Sequence, residues 1–140
     1  MDLENVFGLF SSNEDKKESD IYVDFAKTPI YWIGMYKKIV LNNLNFNKKV
    51  VEFFKEANAE LDVDEMSEAG EFVSYSRAWS YIKNIDITNE DHLLAINKYA
   101  DMHFDTALQL GISFFQENNE QYEKCALLKK ILDKSKEFQS

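Results

Sequence analysis

Residues 28–44 read TPIYWIGMYKKIVLNNL, and their pattern decides the fold class. Thr28 can accept a backbone N–H as a helix cap, and Pro29 suits the first helical position, where an N–H has no partner to lose. Behind them Ile30, Ile33, Tyr36 or Lys37, Val40, Leu41 and Leu44 recur at three- and four-residue intervals, the period of one helix face. Asn42, Asn43, Asn45 and Asn47 follow and predict an interruption near Leu44.

Working outward, Val50, Phe53, Phe54, Ala57 and Leu61 predict a second helix over about 46–61, and Asp62 to Gly70 reads as an acidic connection. Phe72, Tyr75, Trp79 and Ile82 mark a third helix, about 71–83. Thr88 with Asp91 resembles a capping box, opening a long fourth helix over about 89–117 with Leu93, Ile96, Phe104, Leu108 and Phe115. A last helix, about 120–138, presents Tyr122, Cys125, Leu128, Ile131 or Leu132, and Ser135. Ala107 and Gly111, four apart, mark either a place where a neighbouring helix comes close or a glycine that only softens its own helix. Four glycines and one proline in 140 residues are too few for a sheet with many tight turns. The expectation is an all-α, antiparallel bundle of about five helices, formed by residues 20–140 as one domain.

Residues 1–19 read differently. Leu3, Val6, Phe7 and Phe10 fall at one-face helical spacing, and residues 11–20 contain no apolar side chain. That is an amphipathic arm on a flexible tether, and a helix so short needs a surface to lie on. Ile21, Val23 and Phe25 alternate with Tyr22 and Asp24, which predicts a brief extended segment before Thr28.

Leu110-Gly111-x-x-Phe114, with Tyr122 and Ala126 beyond a turn, resembles part of a tetratricopeptide unit over about thirty residues. The turn is longer than that pattern, Glu123 stands where Ala belongs, and no second copy occurs at the repeat period. What the resemblance implies is therefore a helical hairpin and nothing more specific.

Composition narrows the chemistry. A formal net charge of −9 disfavours direct contact with nucleic-acid phosphates or anionic lipid. The longest apolar run, Ile30 to Tyr36, is far short of the roughly 20 residues a membrane span requires. The acidic start lacks the basic region of a secretory signal, and a single cysteine forms no internal disulfide, so a reducing cytoplasmic setting is expected. His92 and His103 lack a carboxylate three residues earlier, so the metal spacing common in helical bundles is missing. Cys125 has no base beside it in a recognisable motif, and no glycine-rich loop is present for phosphate. No catalytic residue, cofactor or metal site is predicted.

What remains is binding. Arg77, the only arginine, lies between Tyr75 and Trp79 in the sequence, as an interface anchor or as an internal bridge to an acid. Tyr31 and Trp32 are adjacent on a helix and cannot share one narrow core stripe, so one of them is available to a partner. The leading expectation is a non-enzymatic interaction module (adaptor, assembly factor or structural subunit) binding another protein or itself through Leu3, Val6, Phe7, Phe10, Tyr31, Trp32 and Arg77. Abundant Lys and Asn with scarce Arg suggest an AT-rich genome, which would suit a small phage or viral protein in host cytoplasm or virion. The alternative is an acidic inhibitor that covers a basic nucleic-acid-binding surface on a host protein.

Overall fold

A computed structural model of the chain describes residues 24–57, 63–118 and 121–140. Among the described residues five main helices follow one another: α1 (Pro29–Glu56), α2 (Val63–Ile82), α3 (Glu90–Tyr99), α4 (Met102–Glu117) and α5 (Tyr122–Gln139). Among the described residues the fold is all-α, packed as a bundle, and no strand occurs. α1 and α2 run antiparallel, because Asn43 bonds Ser74 while Asn47, further along α1, bonds Glu71, earlier in α2. α4 and α5 are likewise antiparallel: Cys125 reaches the Ile112 carbonyl and Ser135 reaches Asp105. α3 lies across, packing on both α1 and α5.

The expected number of helices holds, but its boundaries came from two opposite errors. The asparagine run does not interrupt α1, which continues to Glu56. Asparagine costs a helix only about 0.5–0.7 kcal/mol relative to alanine, and here tertiary partners offset it. Asn43 is buried, its amide donating to Ser74 Oγ at 3.1 Å, and the Asn47 amide donates to Glu71 Oε1 at 3.2 Å. The acidic stretch read as a connection is also helical from Val63 onward, so α2 begins eight residues before the expected start at Glu71. Asp64 and Glu65 lie in its first turn, where they favour the helix dipole.

Conversely, the long fourth helix is two. Ala100 adopts an extended backbone, and Asp101 caps α4 by accepting the Phe104 N–H at 2.7 Å. The break lets Tyr99 place its hydroxyl over Gly34 of α1, 2.6 Å from where a Cβ would stand. Beside it Lys37 reaches Asp101 at 3.6 Å and lies 5.8 Å from the centre of the Tyr99 ring. The cap of α3 is Asn89, which accepts from the Asp91 and His92 N–H groups. Thr88 instead donates to Asp86 Oδ1 through both its N–H and its hydroxyl. Thr28 does cap α1, with Pro29 behind it, as expected. Phe25 is not extended: Asp24 and Phe25 are helical and residues 26–28 turn after them, with the Lys27 and Thr28 N–H groups donating to the Asp24 and Phe25 carbonyls, while residues 21–23 lie outside the described residues.

The core gathers at one end of the molecule. Ile33, Tyr36 and Val40 of α1 meet Tyr75, Ala78 and Ile82 of α2, Ile96 of α3, Phe104 to Phe115 of α4, and Leu128 to Leu132 of α5. Its centre is a close approach at Ala107 and Gly111. The buried Tyr36 hydroxyl donates to the Ala107 carbonyl at 2.8 Å, occupying the space a side chain on Gly111 would need. Tyr75 stacks on Phe114 at 4.3 Å between centroids, and Trp79 meets Phe115 edge-on.

Candidate interaction surface

α1 and α2 extend beyond this core. No residue of α1 after Asn43, and none described in α2 before Tyr75, is buried. The two helices continue together as a projecting hairpin, held in register by the Asn43–Ser74 and Asn47–Glu71 bonds. Instead of burying apolar side chains it displays them. Phe46 is 64 % exposed, Phe53 65 %, Val73 59 % and Met66 48 %.

Spacing places these four on one side. Ile39, Asn42, Phe46, Lys49 and Phe53 recur at three and four, as do Met66, Gly70, Val73 and Arg77. The structure joins the two stripes across a shallow groove of about 310 Å³, lined by Ile39, Asn42, Asn43, Phe46, Ser74 and Arg77. A separate open groove of about 420 Å³ lies on the opposite side of the hairpin, closed at its base by Leu110 of α4; it is lined by Lys48, Lys55, Glu52 and Glu71 among others, a mixed-charge surface. We call the first the outer face.

Arg77 lines the outer-face groove, and helical spacing puts Lys49, between Phe46 and Phe53, beside the same stripe. Arg77 is exposed, and no ion pair involving it forms among the described residues, where the two pairs are Lys37–Asp101 and Lys134–Glu137. The internal bridge considered for Arg77 is therefore not found among these residues. Nor does Arg77 stack between Tyr75 and Trp79, because residues two apart on a helix point apart and those two face the core.

Tyr31 and Trp32 share the work of holding the chain entry. Tyr31 packs edge-on to Phe25 at 5.6 Å and to Tyr81 of α2 at 5.8 Å. Trp32 donates its indole N–H to the Ala26 carbonyl at 3.0 Å and packs edge-on to His92. Both are half-buried, each with its ring packed against its own fold. The expectations for Leu3, Val6, Phe7 and Phe10 and for the tether fall outside the described residues.

His92 Nδ1 accepts the Asp86 N–H at 2.8 Å, locking the start of α3, and His103 is exposed on α4. Cys125 is half-buried with its thiol 3.5 Å from the Ile112 carbonyl. Among the described residues no three or more His, Cys, Asp or Glu side chains converge as a metal site would require. Burial pushes the Tyr36 hydroxyl well above its ordinary range, with Tyr75 adding to it; burial and then the Glu71 charge push Tyr75 up to about 12. Both tyrosines stay protonated at neutral pH. Every buried side-chain N or O among the described residues has a hydrogen-bond partner.

Comparison with protein-family models, curated proteins and solved structures finds no match for this chain. The sequence reading does not single out the outer face: Phe53 enters it only as one apolar position of a helix, and Phe46, Met66 and Val73 are given no role. Their seven-residue spacing, Phe46 to Phe53 and Met66 to Val73, was the signal available.

Proposed function

We propose that the chain is a non-enzymatic protein–protein interaction module that docks an acidic amphipathic helix on the outer face of its α1–α2 hairpin. The observation that carries this reading is the row of Phe46, Phe53, Met66 and Val73, about half or more exposed on helices that bury nothing else at that end. Taking roughly 200 Å² for an aromatic side chain and somewhat less for Val, these four present roughly 400 Å² of apolar surface, the size of patch that on monomers is often functional. Two parallel-sided stripes at heptad-like spacing form a seam that accepts one more helix. The cations Lys49 and Arg77 beside it favour a partner bearing carboxylates. No described helix is long and apolar enough to cross a membrane. A reducing cytoplasm, or a virion if the source is viral, remains the setting we assign.

The acidic-inhibitor reading is less well supported, because the negative charge is not gathered on one face. α5 alone carries Lys124, Lys129, Lys130, Lys134 and Lys136 against Glu123, Asp133 and Glu137.

The test compares proteins retained from native lysate by the chain, by Phe46→Asp/Phe53→Asp, and by Leu94→Asp on exposed α3, each washed at high salt. A partner lost only with the Phe46/Phe53 variant, and retained in salt, supports the reading. Identical retention by all three overturns it; retention abolished by salt alone returns the inhibitor reading.

A further inference from the structure

We infer that the notch at the base of the outer face, between Asn42 of α1 and Ser74 and Arg77 of α2, is a binding site for one carboxylate of the partner, an Asp or Glu side chain on the docked helix. The inference rests on the docking role proposed for that face and names the contact that makes it selective. The apolar row then supplies affinity, and Arg77 supplies the choice of partner.

Three observations converge on it. The first is the donor set. Arg77, Asn42 and Ser74 line one groove of about 310 Å³ together with Ile39 and Phe46. Ser74 Oγ accepts the amide of the buried Asn43 at 3.1 Å, which fixes its place and leaves its own proton to give. Neither the Arg77 guanidinium nor the Asn42 side chain makes a hydrogen bond or ion pair among the described residues. A guanidinium fork offers a carboxylate two parallel N–H bonds, and the amide and hydroxyl add donors for its remaining lone pairs.

Second comes a mismatch of charge. Acidic residues number 25 against 16 basic ones, yet the only arginine stands apart from them. On α2 no acid occurs from Val73 to Tyr81, one helical turn to either side of Arg77. On α1 none occurs from Lys38 to Phe46, around Asn42. The carboxylate that this fork fits is supplied by the docked partner.

Position is the third. Ile39 is half-buried and Phe46 is 64 % exposed, so a helix resting on Phe46 covers the notch and takes it out of water. Charge-assisted bonds gain strength where water is excluded. From Arg77 the apolar row runs toward the tip of the hairpin, with Val73 about 6 Å away along α2 and Met66 about 16 Å. The face therefore reads an acid at one end of an apolar stripe. Phosphate would suit the same donors, but a polyanion needs a row of cations, and only Lys49 and Arg77 border this stripe in a chain of net charge −9.

The deciding experiment is selection from a displayed library of helical peptides about 18 residues long, with leucine fixed along one face and Glu, Gln or Lys in equal shares elsewhere. The baits are the full chain, Arg77→Glu, Lys49→Gln and Phe46→Asp/Phe53→Asp, each checked for helical content by circular dichroism. The unaltered chain should enrich Glu about ten-fold over Gln at one position beside the leucine face. Arg77→Glu should select Lys at that position, and Lys49→Gln should keep the preference for Glu. No preference for Glu, or the same preference from Arg77→Glu, would overturn the inference. Loss of the preference in Lys49→Gln would also overturn it, reducing the effect to general attraction between charges. So would sedimentation of the unaltered chain as a dimer that Phe46→Asp/Phe53→Asp dissolves, since the face would then belong to a second copy. The docking role fails separately: peptides enriched equally by the chain and by Phe46→Asp/Phe53→Asp remove that role and the inference with it. Peptides that require Phe46 and Phe53 but show no preference for an acid remove the inference alone.

Discussion

The two ends of α1 make opposite use of the same kind of residue. Toward its start, Ile33, Tyr36 and Val40 are sealed among four other helices; toward its finish, Phe46 and Phe53 stand in the open beside Met66 and Val73. The ends also differ in how they are held. At the closed end, close approaches set the geometry, with Tyr99 over Gly34 and Tyr36 over Gly111. Along the hairpin a polar ladder of Asn43, Ser74, Asn47 and Glu71 sets the register and leaves the apolar side chains free for something else. Stability and recognition thus occupy different lengths of one helix.

The largest expected contrast comes from truncating one phenylalanine at each end. Phe104→Ala removes a fully buried ring and is expected to cost about 3–5 kcal/mol, whereas Phe53→Ala should cost under about 1 kcal/mol. Denaturant unfolding of both variants reads this directly, since Phe53 is 65 % exposed and Phe104 fully buried; similar costs would break the comparison.

Glycine substitutions should differ even in sign. At Gly111 a methyl group would collide with the Tyr36 hydroxyl and stand 3.0 Å from Leu128, so Gly111→Ala is expected to lose about 1–3 kcal/mol. At Gly70, in the hairpin, nothing lies within 4 Å of an added Cβ, and Gly70→Ala should gain about 0.5–1 kcal/mol from helix propensity alone. Pairing Gly111→Ala with Tyr36→Phe sharpens the point: removing the hydroxyl opens the space, so the double variant should lose less than the sum of the two.

A smaller effect is expected at the corner between α3 and α4. Asp101→Ala removes the cap on Phe104 and should cost about 1 kcal/mol by thermal unfolding. The same cap gives the pH dependence its sign. The Asp101 carboxyl is held below its usual range by the Phe104 N–H first, then by the charges of Lys37 and His103, and Asp86 is lowered by two hydrogen bonds from Thr88. A lowered carboxyl contributes stability above its unfolded-state value, about 3.9, and loses it as pH falls through the lower folded value. Stability contributed by these two groups should therefore hold from neutral pH to about 4 and decline below that, with a shallower acid decline in Asp101→Ala.

The helical class and the close approach at Gly111 were legible in the sequence because both follow from local facts: spacing, scarce glycine and proline, and the small residues Ala107 and Gly111. The boundaries were not, because they depend on partners far along the chain. Asn43 reads as a helix breaker until Ser74 is beside it, and Ala100 reads as helix interior until Tyr99 and Asp101 find Gly34 and Lys37. The candidate surface was hidden for a related reason. Periodicity shows that Phe46 and Phe53 share a face, but only the packing shows that nothing among the described residues covers it.

The division between a closed end and a displaying hairpin is tested most directly by residue-resolved amide exchange across the two ends of α1 in the full chain. The account predicts that amides around Ile33 to Val40 and Phe104 to Phe115 open only with global unfolding, while those of residues 46–56 and 64–73 exchange at least about ten-fold faster through local opening. Equal protection along the whole of α1 and α2 would contradict it, showing the hairpin to be as much a part of the cooperative core as the residues around Tyr36.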